Sequence, residues 1–102
     1  FVCKEIIQAL GADGILINIS RGSTVDEEAL LDALEKKHIR GAALDVFTGE
    51  PSINPRFLKL DNVFMQPHQG SGTIETREAM AKLQRANLSR FFANESLITP
   101  VN

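Results

Sequence analysis

The chain has a single cysteine, Cys3, and no tryptophan or tyrosine among its 102 residues. A lone cysteine excludes an internal disulfide and fits a reducing cytoplasm. No apolar run approaches the roughly 20 residues of a membrane-spanning helix. The opening residues lack the pattern of a secretory leader. An excess of one charge is also missing. Eleven Lys and Arg against 13 Asp and Glu leave a net charge of −2, so nothing points to nucleic acid or an anionic membrane as partner. There is no Cys/His spacing suited to a metal, no internal repeat and no low-complexity stretch. What is there is 43% hydrophobic and 24% charged residues, the proportions of a globular domain with one core.

Periodicity along the chain predicts an alternation of helices and strands. Val2, Ile6, Ile7 and Leu10 are apolar while Lys4, Glu5 and Gln8 are polar, which predicts a helix over residues 1–10, capped by Gly11. With no initial Met, that helix reads as a remnant, and the chain as the C-terminal piece of something longer. The alternative is a small protein begun at an arbitrary point. Ile15 to Ile19 is a near-continuous β-branched run and predicts a strand buried on both faces. Asp26 suits an N-cap for a helix over 27–37, with Glu27 and Glu28 at its positive end and Lys36, Lys37 and His38 in its last turn. Residues 41–46 and 62–66 read as strands. A Pro-marked loop over 47–61 lies between them, with one helical turn around Pro55 to Lys59. Thr73 can cap a helix over 74–93, with Ile74, Met80, Leu83, Leu88, Phe91 and Phe92 as its buried positions. The tail from Glu95 is polar and extended, and Pro100 excludes further helix. The order predicts an α/β fold with βαβ units, a parallel sheet and a long C-terminal helix. A three-stranded sheet has an open edge, a liability unless a larger sheet covers it.

Three residues of different chemistry follow three strand-like runs, at Gly- or Pro-marked turns: Arg21 before Gly22, Glu50 before Pro51, and His68 between Pro67 and Gln69-Gly70. Ligands of α/β sheets bind outside the carboxyl ends of the strands. A guanidinium can take a carboxylate in two parallel bonds. An imidazole titrates near neutrality, and a neighbouring carboxylate favours its charged form and fixes its tautomer. Each residue alone could equally be a solvated surface group. Together they suggest a site for an anionic substrate that gains or loses a proton. Asp45, ending the second strand, is either a turn residue bonding its own backbone or an acceptor for a ligand amide. Asn18 is polar within an apolar run and should need a partner. Ser71 and Thr73 suit helix caps, Ser71 with the alternative of touching a ligand. Cys3, Met65 and Met80 read as packing residues.

Four linked segments then resemble one family. They are Leu16-Ile17-Asn18-Ile19-Ser20-Arg21-Gly22, Val25-Asp26-Glu27-Glu28-Ala29-Leu30, Gly41-Ala42-Ala43-Leu44-Asp45-Val46-Phe47 with Glu50-Pro51, and Pro67-His68-Gln69-Gly70-Ser71-Gly72-Thr73. Their order resembles that of the D-isomer-specific 2-hydroxyacid dehydrogenases, and Gly70 to Arg77 looks most like the glyoxylate, hydroxypyruvate and hydroxyphenylpyruvate reductase branch. The resemblance implies the C-terminal half of a Rossmann-type NAD(P)-binding domain over residues 1–72, and a helix and tail over 73–102 that return to a substrate domain. It implies hydride transfer to a small 2-oxo acid, with Arg21 binding the carboxylate, His68 as acid/base and Glu50 as its partner. Asp45 would bond the nicotinamide carboxamide, and Ile19, Ser20 and Gly70, with Arg21 and His68, would line the cofactor site. It also implies a homodimer. Gln69 departs from the apolar residue usual in the family. The phosphate-binding G-x-G-x-x-G is absent from these residues. NAD and NADP are therefore both open, with a lean to NADP from the branch, and the 102 residues alone are expected to be inactive.

Overall fold

The computed structural model of the protein describes residues 1–101. They divide into two compact units, Phe1–Gly70 and the residues from Ser71 onward. In the first unit the elements are α1 (Lys4–Ala9), β1 (Ile15–Asn18), α2 (Glu27–Glu35), β2 (Gly41–Leu44) and β3 (Val63–Met65), with 3₁₀ turns at Gly22–Thr24 and Pro55–Lys59. The second unit holds α3 (Ile74–Phe92) and a non-helical tail.

The three strands form a parallel sheet in the order β1-β2-β3. The register pairs Leu16 with Ala42 and Asn18 with Leu44, and sets Ile17, Ala43 and Phe64 in one row. Helices α1 and α2 pack together and share one core with the sheet: Ile7, Leu30, Leu31 and Leu34 from the helices, Leu16, Ala42 and Leu44 from the strands, and Ile39, Phe47 and Phe57 beside them. Arg56 joins the Pro55–Lys59 turn to α2 through ion pairs to Glu28, Asp32 and Glu35 of 2.7–2.8 Å.

Several sequence expectations need correction. Strand β1 is buried on one face only. Leu16 and Asn18 point inward, while Ile17 and Phe64, in the same cross-strand row, are 69% and 64% exposed. The alternation follows from the pleat, which sends successive side chains to opposite faces, and only one face carries helices in this unit. Helix α1 begins at Lys4, not at residue 1. Val2 instead pairs with Val25 in an extended bridge, with bonds to Thr24 O and from Asp26 N. Lys36, Lys37 and His38 lie beyond the end of α2, because Lys37 turns into the left-handed region with φ 53°. Cys3 is exposed rather than packed.

In the second unit, Thr73 caps α3 as expected, its Oγ1 accepting from Thr76 N at 3.2 Å. None of the six apolar positions expected to be buried on α3 is buried. This unit is one helix and a tail, with no second layer of its own to pack on. The tail is not freely extended either. Asn87 Oδ1 accepts from Ile98 N at 2.8 Å, and Arg90 Nη1 donates to Ser96 O at 3.0 Å.

Candidate active site

The residues at the carboxyl ends of the strands are positioned by backbone constraints and a set of carboxylates. After β1, the chain turns through Ser20 and Arg21 into the Gly22–Thr24 turn. This turn presses against the chain after β2: a Cβ at position 22 would collide with the backbone of Phe47 and Thr48, so only glycine fits. Arg21 is exposed. Its guanidinium bends back to its own neighbour, Nη1 donating to Ser20 O at 2.6 Å.

After β2, Asp45 is buried and the chain folds into a loop held from two sides. Thr48 N donates to Glu27 Oε2 at 2.8 Å, so the first residue of α2 also anchors this loop. Phe47 N donates to Glu50 Oε1 at 2.8 Å. The other oxygen of Glu50 faces His68 Nδ1 at 2.8 Å. Glu50 is held below the usual carboxylate range, first by the hydrogen bond from His68, then by that from Phe47 N, with smaller help from the charges of His68 and Arg21; partial burial works the other way. An ionised carboxylate only accepts. The proton between the two groups therefore sits on Nδ1, and Nε2 is left for another partner.

His68 takes a left-handed backbone conformation, φ 55°, uncommon for a residue with a side chain. The following residues explain how it is held. Asp45 Oδ1 accepts from Gln69 N at 2.7 Å and Oδ2 from Gly70 N at 2.8 Å. A Cβ at position 70 would lie 2.8 Å from Asp45 Oδ2, so a larger residue there would have to displace the carboxylate that makes the clamp. Beside the pair is an open cavity of about 390 Å³, lined mostly by apolar side chains including Phe47, Ile53, Met65 and Pro67.

The structure thus joins Glu50 to His68 and Asp45 to Gly70. Arg21 reaches Glu50 through its charge, without a direct hydrogen bond among the described residues. Ile19 and Ser20 are exposed at the end of β1. Asp45 does not bond its own turn; it clamps the loop after His68, 24 and 25 residues away. Sequence reasoning missed this clamp, the Glu27 anchor and the partners of Asn18. The only available signal was a polar residue in an apolar run, which says a partner exists but not where.

The family profile described as D-isomer specific 2-hydroxyacid dehydrogenase, NAD binding domain, matches residues 1–70. The chain belongs to this family. A 2-ketogluconate reductase of Gluconobacter oxydans is 54% identical over 98 residues, 96% of this chain and 32% of that protein. A glyoxylate/hydroxypyruvate reductase A of Arabidopsis thaliana is 51% identical over 100 residues, 98% of this chain and 32% of that protein. The crystal structure of an NADPH-dependent glyoxylate/hydroxypyruvate reductase of Sinorhizobium meliloti, in complex with NADP and malonate, superposes with a TM-score of 0.86 at 45% identity, covering 98% of this chain and 31% of that one. The chain therefore spans about a third of the length of these relatives. The sheet and helices within residues 1–70 are those of the family's NAD-binding domain. A nicotinamide dinucleotide is the cofactor class of that domain. No helix among the described residues is long and apolar enough to cross a membrane.

Proposed function

We propose that the full protein reduces a small 2-oxo acid, such as glyoxylate or hydroxypyruvate, to the 2-hydroxy acid. The observation that carries this reading is the His68 Nδ1–Glu50 Oε2 bond at the end of β3, with Arg21 at the end of β1. Arg21 takes the substrate carboxylate in a two-bond fork, and this orients the carbonyl. Glu50 holds the proton on Nδ1 and balances imidazolium charge. His68 gives the Nε2 proton to the carbonyl oxygen as it becomes a hydroxyl, and takes it back in the reverse direction.

The residues present fit the nicotinamide end of a dinucleotide. Ile19 offers an exposed apolar surface, Ser20 and Gly70 offer backbone, and Asp45 keeps a second lone pair on each oxygen for a carboxamide. The bound cofactor supplies the hydride to the carbonyl carbon. These 102 residues hold no glycine-rich turn for the phosphates, so by themselves they should neither bind dinucleotide tightly nor turn over. NADPH is the preferred form in this reading; support comes from the NADP-bound relative. Residues 1–72 act as half of the cofactor domain and residues 73–102 lead into a substrate domain. The family reading also makes the protein a cytoplasmic homodimer, which light scattering and fractionation of the full protein test.

A second substrate, 4-hydroxyphenylpyruvate, is favoured by the apolar cavity beside the pair. The test is a panel of glyoxylate, hydroxypyruvate, 2-ketogluconate and 4-hydroxyphenylpyruvate with NADPH and NADH, on the full protein and its His68→Ala variant. The expected result is 2-oxo acid turnover that falls at least about 10²-fold in the variant. Near-normal turnover without the imidazole would remove the assignment.

A further inference from the structure

We propose that Asn18 is a positioning residue for Arg21, acting on the peptide that catches the guanidinium. This rests on the reading above that Arg21 binds the substrate carboxylate. Asn18 ends β1 on the inward face, 6% exposed, where its register partner is Leu44. An apolar residue would suit that place. Its amide instead reaches forward to the turn. Oδ1 accepts from Ser20 N at 3.1 Å and from Ser20 Oγ at 3.0 Å, and Nδ2 donates to Arg21 O at 3.0 Å.

These bonds fix the two peptides on either side of the Ser20–Arg21 peptide. The carbonyl between them, Ser20 O, is the atom that accepts from Arg21 Nη1. Asn18 therefore sets the orientation of the carbonyl that parks the guanidinium. Thr24 closes the arrangement from the far side: its N and Oγ1 both donate to Arg21 O, at 3.1 and 2.7 Å. A side chain with one acceptor end and one donor end is required, and an amide in this position supplies both.

The test is steady-state kinetics of the full protein with Asn18→Ala, Thr24→Val and Arg21→Ala, and with each of the first two combined with Arg21→Ala. Thr24→Val serves as a second, near-isosteric variant should Asn18→Ala fail to fold. Misplacing the guanidinium should raise the KM for the 2-oxo acid roughly 10-fold or more in Asn18→Ala, with the KM for the dinucleotide unchanged. Thr24→Val should move the same parameter in the same direction by less. Because both act through Arg21, neither should worsen Arg21→Ala, whereas independent effects would multiply. A multiplying effect, or an equal rise in dinucleotide KM, overturns the role of Asn18 while leaving the carboxylate reading intact. An unchanged 2-oxo acid KM in Arg21→Ala removes both.

Discussion

Replacing Glu50 by Gln tests the acid/base pair with almost no change of shape. In the native site both carboxylate oxygens accept: Oε1 from Phe47 N and Oε2 from His68 Nδ1, each at 2.8 Å. A glutamine has one acceptor and one donor end. The Phe47 N–H is fixed by the backbone and can only donate, so the amide oxygen must face it. The NH₂ then faces Nδ1, which has to become an acceptor. The imidazole proton moves to Nε2, and the imidazolium loses its counter-charge. Reduction consumes a proton from Nε2, and a neutral ring cannot give that one up without becoming an anion. The variant thus keeps one of two native hydrogen bonds and loses the charge state that does the chemistry. A tautomer error of this kind removes most of the general-acid contribution, about 10²–10⁴ in kcat. The Arg21 turn is not altered, so the KM for the 2-oxo acid should change little. Ring ¹⁵N spectra of the full protein, with the His68 signals assigned by their loss in His68→Ala, should show His68 moving from the Nδ1–H to the Nε2–H form. A kcat within about threefold of the parent, or an unchanged tautomer, refutes this account of Glu50.

Two predictions concern stability. Phe57 is wholly buried and meets Phe47 edge-to-face with ring centroids 5.5 Å apart. Phe57→Ala should lower unfolding free energy by about 3–5 kcal/mol, and denaturant melts of the full protein that shift by under about 1 kcal/mol would contradict the packing described. Asp32 and Glu35 are held below the usual carboxylate range, chiefly by hydrogen bonds from Arg56. Carboxyls lowered in the folded state add stability that is present above their unfolded values and lost as pH falls through the folded ones. Tm should therefore decline as pH drops below about 4. Arg56→Met should lower Tm at neutral pH and flatten that decline. An unaltered slope would show that Arg56 is not the cause.

Much of this protein is written locally. The β-branched run from Ile15 and the cap residues Asp26 and Thr73 depend on interactions within a few residues, and Gly22, Pro51 and Gly70 mark the turns by residue type alone. They therefore state the element order, the parallel sheet and the strand ends that carry Arg21, Glu50 and His68. Side-chain burial is another matter. A repeat of apolar residues says which face of Ile15–Asn18 or of Ile74–Phe92 could be covered, not whether anything covers it. Ile17, Phe64 and the apolar positions of α3 are exposed in their own units for that reason. The supports of the site are also invisible to a local reading. Asp45 meets Gln69 and Gly70, Glu27 meets Thr48, and Glu50 meets His68 across 18 to 25 residues of chain. The Asp45 and Glu50 pairings exist because the sheet brings the ends of β2 and β3 side by side, and the Glu27 pairing because α2 packs beside the loop after β2; no single segment encodes either.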